Sequence, residues 1–450
     1  MKILFISLGC DKNLTDSEKM LALLTAAGHE ITDDETQAQI AIINTCAFIS
    51  DAKEESIQTI IETAALKETG CLQKLIITGC LAQRYRDEIA AQLPEVDGML
   101  GIASFDKIAQ LVEETVNARD EKPRIFDDIS DNIGPSIRSG GARLVTGPGH
   151  YAYLKVAEGC NKNCTYCAIP SIRGRYHSIP MEHLAAEAAG LADKGVKELI
   201  LVAQETTLYG VDLYGRKMLP ELIERLSRIE GIAWIRLLYC YPEEITDELI
   251  ATVRDNPKVC HYLDMPIQQA SDAILRRMGR RTDHRELTEL IGKLRREIPD
   301  IALRTTLIAG FPGETDEDHE ICMEFIDETE FDRLGVFTYS PEEGTKAAEY
   351  TDQVPEDIKQ QRMDEIMSLQ KEISEDRLAR FVGRRLEVMT EGYLPDEGCY
   401  VGRSRYDAPD VDGMVFFEAD AELVTGDIVT VEITASGEYD LTGVLYEPAE

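Results

Sequence analysis

Six of the eleven cysteines form two groups whose residue type and spacing suit metal or redox chemistry. Cys160, Cys164 and Cys167 lie close together in the run EGCNKNCTYC, residues 158–167. A structural zinc site needs four ligands, and no CxxC or HxxxH pair follows in the sequence to complete one. A four-iron four-sulfur cluster held by three thiolates instead leaves one iron open to a small molecule. The spacing therefore favours such a cluster over zinc or a disulfide.

Cys10, Cys46 and Cys80 are far apart in the chain, but each directly follows a short apolar run. The runs FISLG, IINT and IITG are typical of the ends of buried strands. The carboxyl ends of parallel strands meet at one edge of an open sheet, where such folds bind their ligands. We expect the three thiols to meet there as a second metal site. The alternative is that they are buried structural cysteines.

The order of apolar and helical segments predicts an α/β multidomain chain as the framework for both groups. The first 115 residues alternate strands with helices, the first helix near residues 17–27, which predicts an open parallel sheet. From Tyr151 a series of six strand and helix units predicts a partial (βα) barrel, because a closed barrel has eight. After a long polar helix at residues 355–381, short strands with glycine-rich turns predict a small antiparallel β-barrel. The predicted domains are 1–118, a linker at 119–145 with room for one short strand, 146–378 and 379–447.

The composition indicates an acidic protein of the cytoplasm. Lys and Arg number 47 against 83 Asp and Glu, and this net charge of -36 opposes binding that neutralises nucleic-acid phosphates. A basic partner suits the chain better, although acidity also serves solubility. The sequence has neither an apolar run of about 18 residues nor a signal-peptide pattern, so we expect no membrane contact. In a reducing compartment the scattered cysteines are expected to be small buried hydrophobes: Cys71, Cys240, Cys260, Cys322 and Cys399.

The CxxxCxxC motif, placed after the first strand of the second series, resembles the cluster motif of the radical S-adenosylmethionine enzymes. The resemblance implies that Cys160, Cys164 and Cys167 hold three irons, while the amino and carboxylate groups of S-adenosylmethionine chelate the fourth. It also implies further cofactor contacts: Tyr166, Ile308, Gly310 and Gly313 near the adenine, Gln204 and Glu205 near the methionyl amino group, and Arg304 on the carboxylate. Residue type alone leaves simpler roles open, because tyrosines pack loops and glycines form turns.

The three predicted domains, in this order, resemble the methylthiotransferase subgroup of that family. The subgroup joins an N-terminal three-cysteine domain, a radical S-adenosylmethionine barrel and a C-terminal TRAM domain that docks the substrate. The resemblance implies that Cys10, Cys46 and Cys80 hold a second, auxiliary cluster whose open iron carries the sulfur to be transferred. The implied cofactors are thus two 4Fe-4S clusters and S-adenosylmethionine, with a flavodoxin- or ferredoxin-type electron donor as partner. Cys71 is left out of the ligand set because it precedes a strand.

Members of the subgroup modify either an adenosine of transfer RNA or an aspartate of small-subunit ribosomal protein twelve. Residues 381–450 hold four arginines against sixteen acidic residues, a net charge of -12. This charge would repel RNA and attract a basic ribosomal protein. The run VGRSRYDAPDVDGMVFF, residues 401–417, also resembles the ribosomal-protein branch, as do HYAYLKVAEGC and IPSIRGRYHS. We therefore expect methylthiolation of the β-carbon of that aspartate; transfer RNA modification and a noncatalytic iron-sulfur or zinc assembly factor are the alternatives.

Two arginine-rich stretches near these motifs have open interpretations. Arg173 and Arg175, just past the compact cysteine group, either hold the target carboxylate or form internal ion pairs. The run RRMGRR, residues 276–281, is more typical of a solvated helix end than of a site, with contact to the substrate as the alternative.

Overall fold

A computed structural model describes residues 1–119, 122–126 and 142–447, and three main β-structures organise them. Most of the predicted linker at 119–145 lies outside the described residues. The part that is described contains the short strand β6, Arg124–Phe126. The boundaries between the domains stay predictions.

The first sheet has six parallel strands in the order β2-β1-β3-β4-β5-β6, which confirms the open α/β prediction. The central strands β3 and β4 are almost wholly buried, as strands covered by helices on both faces must be. The strands before β6 are β1 Lys2–Ser7, β2 Glu30–Thr32, β3 Ile40–Thr45, β4 Lys74–Gly79 and β5 Gly98–Leu100. The helices are Asp11–Ala26, Ser50–Thr69, Cys80–Arg84, Arg86–Gln92 and Ile108–Asn117, with a 3₁₀ turn at Ile102–Lys107.

Helix Asp11–Ala26 begins six residues before its predicted start at residue 17. Its first two turns are almost entirely polar and yet buried. They pack against the second domain, where Asp16 pairs with Lys155 and Lys19 pairs with Glu187 at 3.1 Å. The prediction was wrong because a buried polar face has no apolar periodicity that would mark it as helix.

The second sheet is a partial barrel of six parallel strands in the order β14-β13-β12-β11-β10-β7, as predicted. Its strands are β7 Tyr151–Lys155, β10 Glu198–Val202, β11 Trp234–Leu237, β12 Val259–Asp264, β13 Ala302–Ala309 and β14 Arg333–Thr338. A short antiparallel pair, β8 Ala157–Glu158 and β9 His177–Ser178, flanks the cysteine loop. The helices are Ile169–Arg173, Met181–Ala192, Val211–Tyr214, Leu219–Ser227, Asp247–Asp255, Asp272–Met278, His284–Glu297 and Asp316–Thr329, with 3₁₀ turns at Pro242–Glu244 and Lys346–Glu349.

The long helix Glu356–Ala379 leads into a closed five-stranded barrel in the order β15-β16-β17-β19-β18. This confirms the predicted small β-barrel. Neighbouring strands of this barrel are antiparallel, except that β17 and β19 form a parallel pair. The strands are β15 Arg385–Leu394, β16 Cys399–Ser404, β17 Val415–Glu418, β18 Ile428–Ser436 and β19 Leu441–Leu445.

Residues 404–413 run from the last residue of β16 towards β17 and cover the end of the partial barrel at which its strands begin; we call them the floor segment. Arg236 of β11 donates to the carbonyl oxygen of Arg405 at 2.9 Å. Arg333, the first residue of β14, forms an ion pair with Asp407. The last domain therefore completes the interior of the preceding one.

All three aspartates of the floor segment contact the partial barrel, with the side chains of Asp407 and Asp412 buried and Asp410 exposed. Asp412 accepts a hydrogen bond from the Tyr262 hydroxyl at 2.7 Å and lies 3.6 Å from Arg304. Asp410 accepts from the Tyr151 hydroxyl at 3.3 Å. The aspartates of this segment thus hold two domains together.

The scattered cysteines divide into two classes. Cys240, Cys260 and Cys322 are buried, as expected for small hydrophobes. The prediction was wrong for Cys71, which is exposed in the turn before β4, and for Cys399, which is partly exposed at the start of β16.

None of the helices in the described ranges is long and apolar enough to cross a membrane.

Candidate active site

The three distant cysteines lie together at the carboxyl edge of the first sheet. Cys46 and Cys80 follow the ends of the neighbouring strands β3 and β4, and Cys10 follows β1 on the other side of β3. Burial raises the pKa of Cys80 to about 11, with a smaller contribution from the thiols Cys10 and Cys46, while the Arg173 guanidinium offsets part of the rise. The structure thus brings the predicted group together, while its role as a ligand set stays a prediction.

Two glycines allow the strands to turn immediately before these thiols. Gly79 has a φ of 91°, and a Cβ placed on it would lie 2.4 Å from the carbonyl oxygen of Thr45. Gly9 has a φ of 88°, and a Cβ there would meet the Cys46 side chain at 2.9 Å. Glycine is required at both positions because the backbone is left-handed and the next chain is too close for a side chain.

The compact group lies in the loop after β8. Cys160 and Cys167 are held by backbone bonds from the Cys160 N–H to the Gly174 carbonyl at 3.2 Å and from the Cys167 N–H to the Cys164 carbonyl at 3.1 Å. The Lys162 N–H points to the Cys160 sulfur at 3.4 Å, as expected around a thiolate ligand. Burial raises the pKa of Cys160 to about 11 and that of Cys167 to about 12, so both thiols are neutral in the metal-free chain at pH 7.

The end of helix Asp272–Met278 supports this loop, which corrects the interpretation of residues 276–281 as a purely solvated helix end. The Thr165 N–H donates to the Met278 carbonyl at 2.9 Å, and a Cβ on Gly279 would lie 2.8 Å from the Asn163 carbonyl. The turn at the end of this helix lies directly against the cysteine loop. Part of the turn is therefore buried.

The donor set of each group fits a cubic cluster with one open iron. Within the described parts of the chain, no three His, Cys, Asp or Glu donors converge on one metal ion. A cubic cluster takes one thiolate per iron, so its three ligands need not converge on a single point.

Gln204 and Glu205 follow β10 and lie beside the compact group. Gln204 donates to Glu158 at 3.0 Å, and Glu205 accepts from the Thr207 N–H at 3.0 Å. The Gln204 Oε1 and Glu205 Oε2 atoms are buried without a hydrogen-bond partner. Two free acceptors at this position fit the predicted amino group of a cofactor.

Glu205 is completely buried, and burial raises its pKa to about 7. The Lys162 ammonium, 3.9 Å away, offsets only part of this rise. An acid whose pKa rises from 4.5 to about 7 on folding binds a proton in the folded state. It therefore destabilises the fold progressively as the pH increases through that range.

We expect Glu205→Gln to stabilise the metal-free chain at pH 8 by about 1 to 3 kcal/mol, because the buried charge is removed. The gain should shrink as the pH is lowered towards 5, where the wild-type carboxyl is also neutral. Urea unfolding followed by the fluorescence of Trp234, the single tryptophan, measures both values. A gain that is the same at both pH values would contradict the raised pKa.

The predicted adenine contacts are only partly brought together. Tyr166 packs edge-on against Phe311 with 6.5 Å between ring centroids, and Ile308 joins the same apolar cluster. A Cβ on Gly310 would lie 2.2 Å from the Lys359 side chain, and one on Gly313 would lie 2.6 Å from a carboxylate oxygen of Asp352. Both glycines thus approach protein groups closely, and their cofactor role stays a prediction.

Arg304 lies inside the barrel and is paired within the protein. Its guanidinium contacts Asp264 at 2.9 Å, in addition to Asp412 of the floor segment. Its predicted contact with a cofactor carboxylate stays a prediction.

Two tyrosines around the compact group were not indicated by any of the sequence motifs. The Tyr241 hydroxyl lies 3.9 Å from the Cys164 sulfur, and the Arg280 guanidinium lies 4.4 Å from the centroid of the Tyr241 ring. Tyr239 and Tyr241 directly follow β11. The rule that the carboxyl ends of barrel strands carry function would have indicated both tyrosines.

Arg173 connects the two cysteine groups. Its guanidinium lies 3.7 Å from the Cys80 sulfur in the first domain and 2.8 Å from Glu158 in the second. It also contacts Asp16 at 3.5 Å and donates to Asn13. Of the two roles predicted for these arginines, Arg173 has the internal ion pairs. Arg175 is exposed.

Comparisons with known proteins match the chain along its length. Family models match residues 2–101 (uncharacterized protein family UPF0004), 154–326 (Radical SAM superfamily) and 382–445 (TRAM domain). The ribosomal protein uS12 methylthiotransferase RimO of Lachnoclostridium phytofermentans is 55% identical over 98% of this chain and 99% of its own. The protein of the same name from Geobacter sulfurreducens is 49% identical over 98% of each chain.

Solved structures of low identity share the fold. The radical S-adenosylmethionine methyltransferase TsrM from Kitasatospora setae matches with a TM-score of 0.56 at 14% identity, over 77% of this chain and 76% of its own. The cobalamin-dependent S-adenosylmethionine radical enzyme OxsB matches with a TM-score of 0.52 at 12% identity, over 83% of this chain and 56% of its own. At these identities the likeness extends to the fold alone.

Proposed function

The chain belongs to the ribosomal protein uS12 methylthiotransferase RimO family, and on that premise we propose that it inserts a methylthio group at the β-carbon of an aspartate in uS12. It is a radical S-adenosylmethionine enzyme. The observation that carries the proposal is the junction at Arg173, which contacts Cys80 of one thiol group and Glu158 beside the other. One residue in contact with both groups supports the proposal that the two groups act on the same substrate.

Each thiol group is proposed to hold one 4Fe-4S cluster: Cys10, Cys46 and Cys80 the auxiliary one, and Cys160, Cys164 and Cys167 the one that binds S-adenosylmethionine. When bound, the clusters and S-adenosylmethionine supply the sulfur, the methyl group and the radical. Clusters are bound by thiolates, whereas burial raises the pKa of these thiols. Cluster assembly therefore releases protons.

The residues around the compact group orient the cofactor in this proposal. The free oxygens of Gln204 and Glu205 accept the methionyl ammonium, and Tyr166 with Ile308 provides an apolar surface for the adenine. Because these groups are buried or partly buried, a cofactor held by them would be shielded from water.

The acidic TRAM domain is proposed as the docking surface for the basic substrate protein. Asp407 and Asp412 are excluded, because their side chains are buried and paired inside the molecule. Exposed acids elsewhere on the barrel supply the attraction: Glu387, Asp396, Glu397, Glu418, Asp420, Glu422 and Glu438. Such long-range attraction accelerates encounter and weakens with salt.

A ribosomal substrate supports a location in the cytoplasm, and single-electron chemistry calls for a flavodoxin- or ferredoxin-type donor. Both belong to this proposal.

Mass spectrometry tests the proposed function. The anaerobically reconstituted chain is incubated with reductant and S-adenosylmethionine, in one reaction with uS12 and in another with undermodified transfer RNA. We expect a methylthio gain on one aspartate of uS12, none on RNA, and about eight irons per chain. A gain on RNA alone would overturn the substrate, and about four irons would leave only one cluster.

A further inference from the structure

We propose that Lys12 binds the carboxylate of the target aspartate at the junction of the two thiol groups. This inference rests on the proposed function and names the residue that recognises its substrate. It makes Lys12 the group that distinguishes an aspartate from an uncharged side chain of the same shape.

Lys12 reaches from the first domain into the mouth of the partial barrel. It lies two residues after Cys10, in the first turn of helix Asp11–Ala26, and only 6% of it is exposed. Its ammonium lies 3.2 Å from the ring centroid of Tyr239, which follows β11 at the end of the barrel that carries the compact thiol group. A ligand of Lys12 is therefore next to one thiol group and faces the domain that carries the other.

The ammonium of Lys12 has unused hydrogen-bonding capacity. It forms an ion pair with Asp11 at 2.9 Å, but it is among the buried polar atoms without a hydrogen-bond partner. Asp11 is already engaged, because its Oδ1 accepts from the Tyr239 hydroxyl at 3.2 Å. A lysine ammonium carries three donors, and a buried charge whose donors are only partly used is costly. A carboxylate is the ligand that would remove this cost.

Three other buried cations at the junction are each held by at least two acceptors. Lys155 contacts Asp16 and Glu158, and Arg173 contacts both of these carboxylates as well. Lys162 contacts Glu243 at 3.0 Å and Glu244. These cations are neutralised by the protein itself. Lys12, with one carboxylate that lacks hydrogen-bond geometry, differs from these three cations in retaining capacity for a substrate.

The backbone at Tyr239 is strained in a way that fixes the position of the ammonium. Tyr239 has a φ of 59°, in the left-handed region that a bulky residue rarely adopts. Its N–H donates to Asp264 at 2.9 Å, and its carbonyl accepts from the Thr206 N–H at 3.0 Å. Strain maintained by such bonds is typical of functional sites. Here it holds an aromatic face against Lys12, which attracts the ammonium and restricts its motion.

Binding of uS12 to the reconstituted chain without S-adenosylmethionine tests the inference by fluorescence anisotropy. Two ligands are compared: uS12 and a form whose target aspartate is asparagine. We expect the wild-type chain to bind the aspartate form about 10- to 100-fold more tightly, since one buried ion pair is at stake. Lys12→Met should abolish the difference, and Lys12→Arg, which keeps the charge, should retain most of it.

Lys19→Met is the matched control, because Lys19 is buried in the same helix but paired with Glu187. It should preserve the preference for aspartate even if it destabilises the fold. The inference would be overturned if Lys12→Met kept the full preference for the aspartate form of uS12. It would also be overturned if Lys19→Met lost this preference and Lys12→Met did not. If neither form of uS12 binds the wild-type chain, the proposed function fails and this inference fails with it.

Discussion

A chain carrying Cys46→Ala is expected to cleave S-adenosylmethionine largely as the wild type does but to lose methylthiolation by more than about 100-fold, because a ligand is removed outright. Cys164→Ala should abolish both reactions. The physical reason is that Cys46 belongs to the group at the edge of the first sheet, whereas Cys164 belongs to the loop beside the predicted cofactor contacts. Deoxyadenosine release and the mass of uS12, measured in the same reactions, separate the two effects.

Cys71→Ala is the control for these cysteine variants. Cys71 is exposed in the turn before β4 and lies outside both groups, so its replacement should change neither reaction. Iron analysis should give about half of the wild-type iron for Cys46→Ala, since one of two clusters is lost. If Cys46→Ala stopped cleavage as completely as Cys164→Ala, the division of roles between the two groups would be wrong.

Arg173→Met is expected to lower the free energy of unfolding by about 3 kcal/mol, because it removes the cation from a buried network and leaves excess negative charge behind. Glu158, with 1% of its side chain exposed, loses the contact at 2.8 Å, and Asp16 loses one at 3.5 Å. Lys155 alone then faces both carboxylates. The midpoint of urea unfolding, followed by Trp234 fluorescence, measures the change in the metal-free chain.

Arg225→Met supplies the comparison for this prediction. Arg225 pairs with Glu182 at 3.5 Å, with side chains 45% and 66% exposed, and such a surface pair contributes less than about 1 kcal/mol. Its replacement should shift the midpoint little. If the two variants shifted it equally, the junction would not depend on Arg173.

Sequence patterns predicted those parts of the site that the strands position. Each distant cysteine directly follows an apolar run, and apolar runs mark buried parallel strands whose ends share one edge. The convergence of Cys10, Cys46 and Cys80 was therefore predictable without coordinates. The CxxxCxxC loop was predictable for the same reason, since it follows the first strand of the barrel series.

Groups that depend on contacts between domains were not predictable in this way. The start of helix Asp11–Ala26 was placed six residues late, because its first turns bury charges against another domain. A different reason applies to the strand Glu30–Thr32, which was not predicted. Its three residues are too few to produce a periodic pattern. The partner Asp412 of Arg304 comes from a segment far along the chain. No local pattern states which distant residue will neutralise a buried charge.

The floor segment also determines when the barrel can be finished during synthesis. The last barrel strand, Arg333–Thr338, leaves the ribosome before the helix Glu356–Ala379 and the first two strands of the last domain. Until residues 404–413 emerge, Arg236 has Glu198 of the barrel but not the Arg405 carbonyl, and Arg333 lacks Asp407. Domains generally fold in the order of their synthesis, but this barrel gains its last buried contacts only when its successor emerges. A nascent chain that stops before residue 404 is therefore an unfinished barrel rather than a smaller enzyme.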